Sequence, residues 1–205
     1  SSEPEPVRET LYMLGISEGE DSWTFDNHLR LYDEDNLGYA GVADVNSPWG
    51  YQIAIEDGNW GDVYKLGEGD ANAGTLAFGT ENNIPAPDGG LYFFDVSLKA
   101  LTYKLTALGS EIYVAGLNKL EDETWTFEPL PAATTAGVFS GSITITQPSA
   151  WGFKIYLFDN NWDYVYGGNG GKLYYKGNGI TDDATLAPGT YTLTVDLIHA
   201  TYTIE

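Results

Sequence analysis

One stretch of this chain occurs twice, and that repetition constrains the fold more than anything else in the sequence. It reads WGYQIAIEDGNWGDVY from Trp49 to Tyr64 and WGFKIYLFDNNWDYVY from Trp151 to Tyr166. Half of the aligned positions are identical: Trp49/Trp151, Gly50/Gly152, Ile53/Ile155, Asp57/Asp159, Asn59/Asn161, Trp60/Trp162, Val63/Val165 and Tyr64/Tyr166. The chain is therefore a tandem duplication, and whatever one copy folds into must be formed twice. Residues kept by both copies beyond the needs of folding point to what the chain does.

The 205 residues suffice for two domains of ordinary size, and a 42% hydrophobic content supports a core in each. Tyr, Trp, Thr and Val recur in short runs among 25 glycines, a pattern of short strands and tight turns. No apolar stretch approaches the length of a membrane-spanning helix. The net charge of −21 repels phosphate backbones and anionic lipid, so nucleic acid is excluded as a partner. With no cysteine, disulfides, thiol catalysis and thiolate metal sites are excluded as well. The two histidines, His28 and His199, do not correspond between copies, and no cofactor or metal is expected. The start, SSEPEPVRE, reads as a solvated linker over residues 1–9, with any targeting or lipid-attachment signal expected upstream.

ETLYMLGI (Glu9 to Ile16) is a first strand, matched by SEIYVAGL (Ser110 to Leu117). An acidic loop and a Trp-Thr-Phe follow in each copy, at Trp23–Phe25 and Trp125–Phe127, and then a polar or small-residue loop. GYAGVADV (Gly38 to Val45) matches VFSGSITI (Val138 to Ile145) as the next strand. In the Trp block, alternation places Tyr51, Ile53 and Ile55 on a core face, as it does Phe153, Ile155 and Leu157. Gln52 and Lys154 then face outward. A strand-like region opens at Ile84 and Ile180, and a strand, turn and strand close each copy, Pro87 to Leu105 and Ala187 to Ile204. Six or seven short strands per copy predict an all-β chain of two tandem immunoglobulin-like β-sandwich modules, 10–107 and 108–205.

All six tryptophans pair across the copies: Trp23/Trp125, Trp49/Trp151 and Trp60/Trp162. Trp60 and Trp162 follow polar turns and are expected to be exposed. Trp49 and Trp151 begin a buried strand, and both core and platform stay open for them. Exposed rings at fixed places on a β scaffold suit a sugar, whose apolar C–H face stacks on an aromatic while polar neighbours bond its hydroxyls.

IYVAGLN, Trp125 and FKIYLFDNNW ending at Trp162 resemble the glycogen- and starch-binding modules. The motifs W-G-F-K, N-N-W, G-G-N-G-G-K-L, G-N-G-I and G-T-Y-T-L-T-V-D-L are similar, as a set, to the SusE/SusF group. These are surface starch-binding lipoproteins of Gram-negative gut bacteria built from consecutive sandwich modules. The resemblance implies two Trp platforms, Trp125 and Trp162, with Lys154 and Asn178 bonding sugar hydroxyls; Tyr166 and Lys172 complete the candidate set of copy two. The candidates of copy one are Trp23, Gln52, Trp60, Tyr64 and Lys65. Here Gln52 replaces the lysine and Lys65 is a substitute donor, so copy two is expected to bind more tightly. The resemblance further implies capture of starch or a maltooligosaccharide at the cell surface by a monomer held in the outer membrane through an upstream lipid, beside a glycan-uptake complex.

An enzyme is not expected. The one acidic residue shared by the Trp blocks, Asp57/Asp159, sits in a turn, where bonding its own backbone is the ordinary role. Two alternatives remain: the same modules on another glycan, or a structural or adhesion array stiffened by calcium. The acidic loops Glu18–Asp21, Asp33–Asp35 and Glu121–Glu123 motivate the last, without the ligand spacing of a known calcium loop.

Overall fold

The computed structural model describes residues 5–17, 23–118, 125–148, 151–182 and 186–205. Among them are sixteen β-strands and no α-helix. The chain divides into two compact units, Ser1–Ala107 and Leu108–Glu205.

In the first unit the strands are β1 (Thr10–Leu14), β2 (Asn27–Asp33), β3 (Gly38–Val45), β4 (Gln52–Ala54), β5 (Val63–Gly69), β6 (Ala73–Phe78), β7 (Gly90–Ser97) and β8 (Thr102–Ala107). Their order, β1-β2-β3-β7-β8-β6-β5-β4, closes into a barrel as β4 pairs back on β1. The second unit contains β9 (Glu111–Ala115), β10 (Glu128–Pro131), β11 (Val138–Ile145), β12 (Lys154–Tyr156), β13 (Val165–Asn169), β14 (Lys172–Tyr175), β15 (Gly189–Asp196) and β16 (Thr201–Ile204). They form one sheet in the order β10-β9-β12-β13-β14-β16-β15-β11, and a bridge from Ala132 to Phe139 joins its two ends.

The chain is all-β as expected, and in each unit the six or seven expected strands are eight, joined in one continuous sheet. Two strands account for the difference in the first unit. β2 pairs with both β1 and β3 where a polar loop was expected, and β6 pairs with both β5 and β8. These pairings join what would otherwise be two separate layers, and they remove the free edges on which other chains could pair.

Alternation decides which face is core. Tyr51, Ile53 and Ile55 are buried in the first unit, and Phe153, Ile155 and Leu157 in the second. They pack with Met13, Tyr39, Phe94 and Val96 in one case and lie with buried Val114, Phe139, Leu193 and Val195 in the other. The opposite face carries a smaller apolar cluster at equivalent places in both units. In the first, Leu14, Ala54 and Val63 meet Tyr12, Trp23 and Phe25; in the second, Ala115, Phe127 and Tyr156 meet Tyr113 and Val165. This outer cluster positions the candidate site.

The N-terminal stretch is not a free linker over Glu5–Arg8. The Glu5 carboxylate accepts hydrogen bonds from Tyr64 Oη at 2.6 Å and from Arg8 at 2.8 Å. Tyr39 Oη donates to the Arg8 carbonyl at 2.8 Å and accepts from its N–H at 3.1 Å. Burial opposes the charge on Glu5, but the bonds from Tyr64 and Arg8 and the Arg8 charge hold its pKa below the ordinary value.

Candidate functional site

The loop carrying Trp60 and Trp162 is built the same way in both copies. Asn59 N–H donates to Glu56 O, and Asn161 N–H to Phe158 O, closing a tight turn. One residue in each turn has positive φ: Gly58 at 76° and its counterpart Asn160 at 51°. Gly and Asn tolerate that conformation best, which accounts for the exchange. The Asn59 side-chain oxygen accepts from Gly61 N–H at 2.9 Å, and the Asn161 oxygen from Asp163 N–H at 2.9 Å. The asparagines, rather than the aspartates Asp57 and Asp159, therefore cap the turn backbone. Their identity in both copies serves to hold the tryptophan between them and the next strand.

Trp60 and Trp162 are each about half exposed, at 53% and 52%. The inner side of each ring rests on the outer aromatic cluster. Trp162 meets Phe127, Tyr156 and Trp125 edge to face, with centroids 5.1, 5.3 and 5.8 Å away. Trp60 meets Phe25 at 4.8 Å, and Phe25 meets Tyr12 at 5.8 Å. Each such pair contributes about 0.5–1.5 kcal/mol, enough to fix a ring whose outer side stays wet. Trp125, 39% exposed, and the half-buried Trp23 lie over Gly116 and Gly15. A Cβ on Gly116 would approach Trp125 Cζ3 to 2.8 Å, and one on Gly15 would approach Trp23 Cη2 to 3.1 Å. Both glycines also have positive φ, 95° and 90°. Only glycine lets the ring lie this close.

Lys154 lies on the same outer face. The ladders place it beside Ala115 of β9 on one side, and by continuation of the β12–β13 register beside Gly167 on the other; Gly167 in turn faces Tyr174. The outer row of the second unit is therefore Ala115, Lys154, Gly167 and Tyr174, the last 47% exposed. A return segment crosses Gly167: a Cβ there would meet the Gly177 and Asn178 carbonyls at 2.4 and 2.0 Å. Gly168 N–H donates to Asn178 O at 3.0 Å, leaving Asn178 exposed on top. Trp125, Trp162, Lys154 and Asn178 are thus brought to one face. Lys172 also points outward, on β14 two residues from Tyr174 and near the β13–β14 turn, farther from Trp162.

The corresponding row of the first unit is Leu14, Gln52, Lys65 and Ala77. Lys65 stands directly across from Gln52 on the outer face. Gln52 donates through Nε2 to Asn83 Oδ1 at 3.0 Å, so its amide is engaged. The first unit does carry an ammonium group on this row, one strand over. Charge on the outer row therefore does not by itself distinguish the two units.

Two candidates leave the set. Tyr64 and Tyr166 are 5% and 3% exposed, in register with Ile53 and Ile155, and belong to the cores. Burial, followed by the bond to the Glu5 carboxylate, pushes the Tyr64 phenol well above its ordinary pKa, so it stays protonated and donates. Conversely, Trp49 and Trp151, for which the sequence left core and platform open, are 75% and 82% exposed. Tyr174 was missed. Its signal was the alternation of KLYY with Leu173 inward.

A groove of about 410 Å³ lies between Ser47–Pro48 and Pro87–Asp88, and none of the candidate residues lines it. The tryptophan face itself is open. Among the described residues no group of three or more His, Cys, Asp or Glu side chains could hold a metal. Asp33 instead accepts from the Asn36 backbone and side chain at 3.2 and 2.8 Å, in a turn. Glu18–Asp21 and Glu121–Glu123 lie outside the described residues. Residues 9–107 match a family described as a domain of unknown function (DUF8037), a span that ends with β8. No curated protein and no solved structure matches the chain.

Proposed function

We propose that the chain is a non-catalytic glycan-binding protein with one platform on each unit, and that its ligand is an α-1,4-glucan such as starch or a maltooligosaccharide. On this reading each unit is an immunoglobulin-like β-sandwich, flattened from its continuous sheet and filled by the large inward side chains. The observation that carries the reading is Trp162: half exposed, propped edge to face on Trp125, Phe127 and Tyr156, and sharing an outer face with Lys154. The same arrangement of Trp60 on Phe25, with Lys65 nearby, supports it from the other copy. A propped ring offers an apolar face without the entropy of ordering it, and an ammonium group offers three donors to sugar hydroxyls. An open face suits the flank of a chain better than a small buried ligand. By the family resemblance the protein works at the cell surface, held through an upstream lipid beside an outer-membrane uptake complex.

Native gels cast with starch, glycogen, pullulan, mannan and a β-glucan test the reading. Retardation by the α-glucans is expected, and its loss in Trp60→Ala/Trp162→Ala. Retardation by no polysaccharide overturns the function. Retardation by mannan or β-glucan alone keeps the platform and changes its ligand.

A further inference from the structure

Trp49 and Trp151 occupy the same place in the two copies, and no large hydrophobic side chain among the described residues is more exposed. A core role, or a strand's need for bulk, does not explain rings at 75% and 82% exposure. Their backbone, by contrast, is held tightly. The next residue in each case is a glycine of positive φ, Gly50 at 84° and Gly152 at 73°. A Cβ on Gly50 would approach Ile84 O to 2.7 Å, and one on Gly152 would approach Ile180 O to 2.3 Å. Isolated bridges Tyr51–Ile84 and Phe153–Ile180 follow directly. From the other side, Asn83 Nδ2 reaches Trp49 O at 3.5 Å, and a Cβ on Gly179 would approach Trp151 O to 2.1 Å. Each ring therefore projects from a gripped main chain, which fixes its point of attachment and leaves only its own rotamers to be ordered on binding.

The segment that grips Trp151 is the one that carries Asn178 over Gly167. The Trp151 main chain consequently lies beside the segment that covers Gly167, next to the outer row that holds Lys154 and outward-facing Tyr174. Trp162 lies at the other end of β12, over Tyr156. From Trp151 to Tyr156 the chain advances five residues, at most roughly 16 Å, and less because Gly152 turns the chain before β12. A span of that order is longer than one sugar ring and suits a short oligosaccharide.

We infer that Trp151, and Trp49 in the first unit, form a second stacking subsite, so that each unit binds a run of several sugar residues between two tryptophan positions. The inference rests on the glycan-binding reading above and adds to it the length of ligand recognised. Tyr174 lies on the outer row of the second unit where Ala77 stands in the first, so the second unit gains more from a long chain.

The full chain and the variants Trp49→Ala/Trp151→Ala and Trp60→Ala/Trp162→Ala are titrated calorimetrically with maltotriose and with maltoheptaose. In Trp49→Ala/Trp151→Ala, maltoheptaose should bind about five- to tenfold more weakly, the loss of one stacking contact per unit, and maltotriose within about twofold of the parent. Melting should be nearly unchanged, because both rings are exposed. In Trp60→Ala/Trp162→Ala both ligands should weaken. Unchanged maltoheptaose binding in Trp49→Ala/Trp151→Ala, with loss in Trp60→Ala/Trp162→Ala, overturns the subsite and leaves the function standing. Equal loss of both ligands in Trp49→Ala/Trp151→Ala overturns it too, since these rings would then belong to the primary site. If the parent chain binds neither sugar, the α-glucan reading fails and the subsite fails with it.

Discussion

Removing one oxygen atom should stabilise the first unit. Tyr51 is fully buried, and its hydroxyl has no hydrogen-bond partner in the protein. Burial, followed by the electrostatic effect of Tyr103, drives its pKa far up, so the group is a neutral donor and acceptor held in an apolar core against Phe94 at 5.7 Å. The counterpart in the second unit is Phe153, equally buried and bridged to Ile180 as Tyr51 is to Ile84. The same fold thus accommodates phenylalanine at this place. An unsatisfied buried hydroxyl costs about 1–3 kcal/mol, and the ring of Tyr51→Phe keeps its contacts and nearly its volume. Tyr51→Phe should therefore gain about 1–2 kcal/mol, and a domain of this size gains about 4–8 °C in Tm per kcal/mol. Scanning calorimetry of the full chain measures it, with Glu5→Gln identifying the transition of the first unit. The reverse exchange, Phe153→Tyr, should lower the transition of the second unit by a similar amount. An unchanged or lower Tm in Tyr51→Phe would refute the argument and mean that the hydroxyl is satisfied in solution.

Trp162→Ala should abolish measurable sugar binding by the second unit, read in a Trp60→Ala background. It should cost about 1–2 kcal/mol in denaturant unfolding rather than the 3–5 of a fully buried tryptophan, since half the ring is already wet. Lys154→Gln and Lys65→Gln should each weaken binding by their own unit about five- to tenfold by calorimetry, the difference between a charged and a neutral hydrogen bond. Gly116→Ala, with a Cβ 2.8 Å from both Trp125 Cζ3 and Gly152 O and a φ of +95°, should destabilise by about 1–3 kcal/mol and displace the Trp125 ring, seen as a change in tryptophan fluorescence. Glu5→Gln should lower the first unit's stability at neutral pH. The Glu5 pKa is depressed on folding, so its contribution is present above the unfolded pKa and lost as pH falls through the folded value. Melts of parent and variant should accordingly converge in acid.

The core of each Trp block was legible because a period of two needs only three residues to show. Tyr51, Ile53 and Ile55 alternate with polar or small neighbours, and the burial follows them. β2 was missed although HLRLY alternates as cleanly. Asn27, Arg30 and Asp33 are no obstacle to it, because a half-buried strand has room for polar side chains on its wet side. β6 was hidden by three glycines and a register shift between Leu66 and Gly69. Without these two strands the continuous sheet could not be foreseen, since they supply the pairings that join the layers. For the site, residue identity was informative and orientation was not. Tyr64 looks like a platform in one dimension and is core once paired with Ile53. Trp49 looks like the start of a buried strand, but the positive φ of Gly50 precedes that strand and turns the chain.

The two outer rows show what duplication preserved and what it exchanged. Each holds one ammonium group: Lys154 on β12, with Gly167 across from it, and Lys65 on β5, with Gln52 across from it. A shift of one strand moves a Cβ by about 4.8 Å, well within the reach of a lysine side chain over the same patch of surface. The exchange is also forced in part by the backbone. Asn178 and Gly177 lie directly on Gly167, so no side chain fits there and the lysine can stand only on β12. In the first unit the position on β5 is open, and Asn83 takes the Gln52 amide instead. The charge therefore does not rank the two platforms. What differs between them is Tyr174 against Ala77, a ring present in one row and absent from the other. If the second unit binds a long chain more tightly, Tyr174→Ala should erase that advantage while Lys154→Gln lowers binding to both short and long chains. An advantage that survives Tyr174→Ala and vanishes with Lys154→Gln would return the distinction to the charge, and with it the simpler comparison of Lys154 with Gln52.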